Sequence, residues 1–177
     1  MIFLKTYFQN LKKNFSNINY ESFDNFTKIL ENVRKKSGKV IIMGNGGSAS
    51  IASHFSTDLT KVCNIRTTNF NEANLITCLS NDYGYEQWLS KAIEFYADEK
   101  DVAIFISSSG KSKNILNGIK KANKLGLITI TFSGFSKNNK LKKMGLINFW
   151  VNSKHYNYIE TTHLVWLLAA VDFLKIK

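Results

Sequence analysis

The chain has 177 residues, 44% of them hydrophobic, with 24 Lys and Arg against 13 Asp and Glu for a formal charge of +11. A chain of that length suits one domain, 1–177, that buries roughly 70% of its unfolded surface without disulfide or metal staples. Cys63 and Cys78 match no metal or redox spacing, Lys5, Gln9, Asn10 and Lys12 interrupt the N-terminal stretch, and the longest apolar run, Leu164 to Val171, is far too short for a span. Secretion and membrane insertion are therefore not expected, and a cytoplasmic protein with reduced thiols is.

Residues 2–15 set Phe3, Leu4, Tyr7, Phe8, Leu11 and Phe15 on one helical face, and Phe23, Phe26, Leu30 and Val33 repeat the period in a second helix ending near Ser37-Gly38. Such a stripe either packs on its own sheet or forms a subunit interface. From Lys39 the chain alternates. VIIM (40–43) reads as a buried strand, Ala49 to Val62 as a helix and DVAIFI (101–106) as a strand; Asn114 to Leu125 is then a helix closed by Gly126. LITITF (127–132) and INFWV (147–151) are strands, and Tyr158 to Ile176 is a final helix. Apolar strands alternating with amphipathic helices predict a parallel sheet covered on both faces, with right-handed crossovers. Between Thr67 and Ser80, ANLITCLS fits strand or helix equally.

The segment Lys111 to Lys143 holds nine lysines and no acid. Its field attracts anions, but no helix-turn-helix, zinc or stacking-aromatic signature accompanies it, so nucleic acid is not the expected ligand and a solvated face is the simpler reading.

Two strands run into loops of one kind: VIIM into Gly44-Asn45-Gly46-Gly47-Ser48, and AIFI into Ser107-Ser108-Ser109-Gly110-Lys111-Ser112. Ligands of an open parallel sheet bind beyond the carboxyl ends of its strands, and each loop feeds a helix N-terminus whose free amides favour an anion. Hydroxyls add donors and glycine lets the backbone curl, which makes the second loop a small phosphate cradle distinct from a P-loop or a dinucleotide fingerprint. Gly and Ser also serve as turn and cap residues, the bland alternative for either loop alone. His54 and Asp58, at i and i+4, share a helix face, as do Glu160 and His163 at i and i+3. Two such pairs suit a metal site, an acid/base set, or plain surface pairing.

These loops resemble those of the phosphosugar-isomerase (SIS) domain proteins, and within them the phosphoheptose isomerases. The residues that carry the resemblance are GNGGSASIASHF (44–55), SNDYGYEQ (80–87), ISSSGKSKNIL (106–116) and, more weakly, IETTHL (159–164). The resemblance implies a three-layer α/β/α sandwich of flavodoxin-like type over residues 38–177, with a five-stranded parallel sheet preceded by two helices in 1–37. It implies a homotetramer with active sites at subunit boundaries, and conversion of sedoheptulose 7-phosphate to D-glycero-D-manno-heptose 7-phosphate for lipopolysaccharide or capsule. Ser107, Ser108, Ser109 and Ser112 look like the phosphate loop; Asn45, Gly46 and Ser48 resemble contacts to the sugar phosphate; and Asp82 resembles a residue near the sugar, although Asp is also a preferred helix N-cap.

Asp58 and Glu160 carry the catalytic expectation. No cofactor is required, and zinc is the metal that His54, Asp58 and Glu160 would hold together. In the family the position of Asp58 is usually Glu, that of Glu160 is usually Gln, and a catalytic histidine stands where this chain has Leu168. The apolar side chain favours a second reading, a non-catalytic phosphosugar-binding or protein-interaction module of the kind that binds a replication initiator.

Overall fold

The computed structural model describes residues 1–176. Two helices, α1 (Ile2–Phe15) and α2 (Tyr20–Lys35), lead into β1 (Val40–Met43), α3 (Gly47–Cys63), β2 (Thr67–Thr68), α4 (Ala73–Tyr83), α5 (Trp88–Tyr96) and β3 (Val102–Ser107). Then follow α6 (Lys113–Lys124), β4 (Ile128–Ser133), a 3-10 turn at Leu141–Lys143, β5 (Ile147–Trp150) and α7 (Tyr156–Ile176). The five strands pair in the order β2-β1-β3-β4-β5, every pair parallel. This is the expected five-stranded sheet. All residues of β1 and β3 are buried, which is why both read as unbroken apolar runs.

The two-residue period of the strands sorts the core into two layers. Val40, Ile42, Val102, Ile104, Ile106, Ile130 and Phe132 face α2, α3 and α7, where Phe26, Phe55, Leu59, Trp166 and Leu167 meet them. Ile41, Met43, Ala103 and Phe105 face the other side, against Leu89, Ile93, Ile115 and Ile119 of α5 and α6. Each fully buried side chain of this size stabilises the fold by about 1.5–3 kcal/mol.

Three regions go beyond the sequence reading. ANLITCLS is helical: the Glu72 carboxylate accepts from the amides of Asn74 and Leu75, at 3.0 and 2.7 Å, and caps α4. Residues 88–96, left without an assigned element above, form α5. The final helix starts at Tyr156, two residues earlier than its periodicity suggests. As for the N-terminal stripe, α2 buries Phe26, Leu30 and Val33 in the core, whereas α1 lies on α7, with Leu11 buried and Trp166 Nε1 donating to the Phe15 carbonyl at 3.0 Å. Phe3, Leu4 and Phe8 of α1 stay 73%, 55% and 61% exposed. No helix among the described residues is long and apolar enough to cross a membrane.

Candidate active site

In a sheet of order 2-1-3-4-5 the chain reverses direction of winding between β1 and β3, and the crevice beyond their carboxyl ends is where ligands bind. Both loops singled out by the sequence lie there. The first turns at Gly46, whose φ of 55° with ψ of −124° is open to glycine and strained for other residues. The second turns at Gly110, φ 62°, where a Cβ would overlap the Asn139 side chain. Ser107 and Ser112 bring their hydroxyls to 3.2 Å across this turn, and the Lys111 amide donates to Ser109 Oγ, also at 3.2 Å. The Gly134 amide donates to the Ser108 carbonyl at 2.8 Å, tying the turn to the end of β4.

The two loops are joined directly. Asn45 Nδ2 donates to Asn114 Oδ1 at 2.9 Å, and Asn114 Nδ2 donates back to Asn45 Oδ1 at 2.8 Å. Asn114 is buried in the first turn of α6. Its position two residues past Ser112, the end of the serine loop, was the signal for it.

A cavity of about 130 Å³ occupies the crevice, lined by Asn45, Ser48, Ser107, Ser108, Ser109, Ser112, Ile106, Tyr156 and Glu160. Glu160 enters from α7 against the N-terminus of α3, so close to Gly47 that a Cβ there would overlap its carboxylate. Burial pushes the Glu160 carboxyl above the ordinary glutamate value, opposed by the neighbouring Ser108 hydroxyl. The Ser108 Oγ is buried at the cavity wall beside the Glu160 carboxyl, with no hydrogen bond of good geometry among the described residues. Buried donors and a helix terminus around a small polar cavity suit a phosphate.

The other expected residues lie elsewhere. His54 and Asp58 pair with each other, Nε2 to Oδ2 at 3.2 Å, and neither lines the cavity. Asp82 is in the last turn of α4, which rules out the N-cap reading, and its neighbours are Asn81 Nδ2 at 3.0 Å and Cys78 Sγ at 3.9 Å. Gly46 is the N-cap residue of α3. His163 does not join Glu160: it is fully buried beside the Phe132 and Trp166 rings, with Nε2 3.2 Å from the Ser133 carbonyl. Burial holds its pKa down to about 4. Zinc does not fit the set His54, Asp58 and Glu160 within one chain, because no three His, Cys, Asp or Glu side chains among the described residues cluster to hold a metal, and Leu168 offers no ligand. Tyr156 lines the cavity but was not singled out from sequence, where the final helix was read from Tyr158.

A family model for the SIS domain matches residues 6–134. The chain belongs to the SIS domain family. It is 32% identical to a phosphoheptose isomerase of Syntrophotalea carbinolica, over 97% of this chain and 92% of that one. It is 31% identical to the phosphoheptose isomerase of Helicobacter pylori strain P12, over 93% and 88% of the two chains. Among solved structures, this SIS chain superposes on a phosphoheptose isomerase from Francisella tularensis with a TM-score of 0.87 at 25% identity, covering 98% and 97% of the chains. The phosphoheptose isomerase of Neisseria gonorrhoeae shares the fold with a TM-score of 0.88 at 23% identity, covering 97% and 96%.

Proposed function

We propose that this SIS protein is an aldose-ketose isomerase of phosphorylated sugars, acting on sedoheptulose 7-phosphate to give D-glycero-D-manno-heptose 7-phosphate in the cytoplasm, for the heptose of lipopolysaccharide or capsule. The observation that carries it is the crevice at β1 and β3, where a serine cradle and a carboxylate share one cavity. Whole-chain likeness to phosphoheptose isomerases supports an enzyme over a non-catalytic module.

In this reading Ser107, Ser108, Ser109 and Ser112, with Asn45, Gly46 and Ser48, hold the phosphate. Glu160, at the cavity wall, takes the proton from the carbon beside the carbonyl and returns it to its neighbour through an enediol; its raised pKa brings it nearer the working pH. An enediol transfer needs a second group for the oxygen protons, and the cavity holds one carboxylate. The His54–Asp58 pair supplies that group from a neighbouring copy, in a homo-oligomer that is a tetramer by resemblance. The exposed Phe3, Leu4 and Phe8 support such an assembly, since monomers seldom leave three large apolar side chains together in water. Asp82 meets the sugar of the adjoining site in the same assembly. Pure protein incubated with sedoheptulose 7-phosphate and followed by NMR is expected to yield the aldose signal; binding without product would return the chain to the non-catalytic reading.

A further inference from the structure

Tyr156 opens α7 four residues, about one helical turn, before Glu160, so both side chains lie on one face. It lines the phosphate cavity, and it also lines a second groove of about 410 Å³ formed with Phe3, Tyr7, His155 and Tyr158. Its side chain is thus the shared wall of the two spaces. The residue is 57% exposed, and its hydroxyl has no hydrogen bond to any described residue.

The ring is nevertheless held. Phe135 packs its ring against that of Tyr156 at a centroid distance of 4.9 Å and an interplanar angle of 59°. Phe135 does so from a left-handed backbone, φ 51°, which is costly for a bulky side chain and persists where neighbouring structure enforces it. Here the Phe135 amide donates to the Ser153 carbonyl at 2.9 Å, closing the β4 end onto the segment before α7. An exposed tyrosine with a buttressed ring and a free hydroxyl, beside an anion cradle, is placed to read what is attached to the anion.

We propose that Tyr156 is a specificity-determining residue that recognises the sugar portion of the phosphosugar. Its phenol donates to a sugar oxygen while the phosphate occupies the serine cradle, and the chain of the sugar passes Tyr156 toward the groove lined by Tyr7, His155 and Tyr158. The ring face covers carbon-bound hydrogens and the hydroxyl supplies the polar contact, the division of labour that suits tyrosine to sugars. Inorganic phosphate, which fills the cradle alone, makes no use of the residue. This inference rests on the phosphosugar reading of the cavity but not on turnover.

The test titrates wild type, Tyr156→Phe, Tyr156→Ala and Phe135→Leu with sedoheptulose 7-phosphate and with inorganic phosphate, by calorimetry on variants whose melting curves match the wild type. Loss of one neutral hydrogen bond should weaken sugar-phosphate binding by about tenfold in Tyr156→Phe, and more in Tyr156→Ala. Phe135→Leu should reproduce part of the loss, and inorganic phosphate should bind all four proteins within about a factor of two, the additivity error of independent sites. Equal losses for both ligands, or unchanged sugar-phosphate binding in Tyr156→Ala, overturn the inference while leaving the cradle in place. A wild type that binds neither ligand overturns the reading of the cavity and this inference with it. Binding without isomerisation sinks only the catalytic reading.

Discussion

Asn45 and Asn114, 69 positions apart in the chain, exchange two amide hydrogen bonds of 2.9 and 2.8 Å and so lock the loop after β1 to the helix after β3. Removing one partner strands the other, so Asn114→Ala should cost about 1–3 kcal/mol of stability. Because the residues act as one unit, Asn45→Ala together with Asn114→Ala should cost clearly less than the sum of the two. Urea denaturation of the three variants measures this, and strict additivity would show that the pair contributes nothing as a pair.

Ser109 belongs to the cradle and is half-buried. Ser109→Ala should weaken sugar-phosphate binding by about 1–3 kcal/mol, the scale for leaving a charged group one donor short, with little change in melting temperature. Calorimetric titration reads the loss. Equal affinity of the enzyme for a dephosphorylated sugar would remove the cradle from the account.

Glu160 must be ionised to act as base, and burial raises its pKa above the usual glutamate value of 4.5. The acid limb of the pH–rate profile should therefore lie above that value, with activity falling as pH drops through it. Glu160→Gln keeps the shape and removes the base, and should lower turnover by roughly 10²-fold or more. Asp58→Asn is expected to show a loss of the same order if the His54–Asp58 pair serves the proton transfer. Mixed oligomers of the two variants should recover measurable turnover, since some boundaries then combine an intact Glu160 with an intact Asp58. Mixtures as inactive as their parents would confine both carboxylates to one chain.

His163 makes a prediction about stability. Its folded pKa is depressed to about 4 by burial, opposed by its bond to the Ser133 carbonyl, whereas an unfolded histidine titrates near 6.5. Below 6.5 the unfolded chain takes up a proton that the folded chain refuses, so stability falls as pH falls from 6.5 to about 4, by roughly 3 kcal/mol in all. His163→Gln should flatten this acid limb in urea midpoints measured across that range, and a parallel pH dependence in the variant would assign the limb to other groups.

Much of the architecture was legible from residues alone. Continuous burial of β1 and β3 leaves an apolar run that no loop or amphipathic helix produces, and the glycine-serine loops that follow them mark the crevice because ligands of an open parallel sheet bind beyond its strand ends. Ser107, Ser108, Ser109, Ser112, Asn45, Ser48 and Glu160 were all named from sequence and all line one cavity. Local pattern could not separate helix from strand in ANLITCLS, where the deciding cap is a glutamate, nor find the start of α7 two residues earlier, which carries Tyr156 onto the face of Glu160. Pairing across the fold lay equally beyond it. The spacing of Glu160 and His163 suits a shared site, but the packing of α7 against β4 turns His163 into the core and Glu160 into the crevice, and only the tertiary contacts of one helix with two surfaces decide which residue meets which.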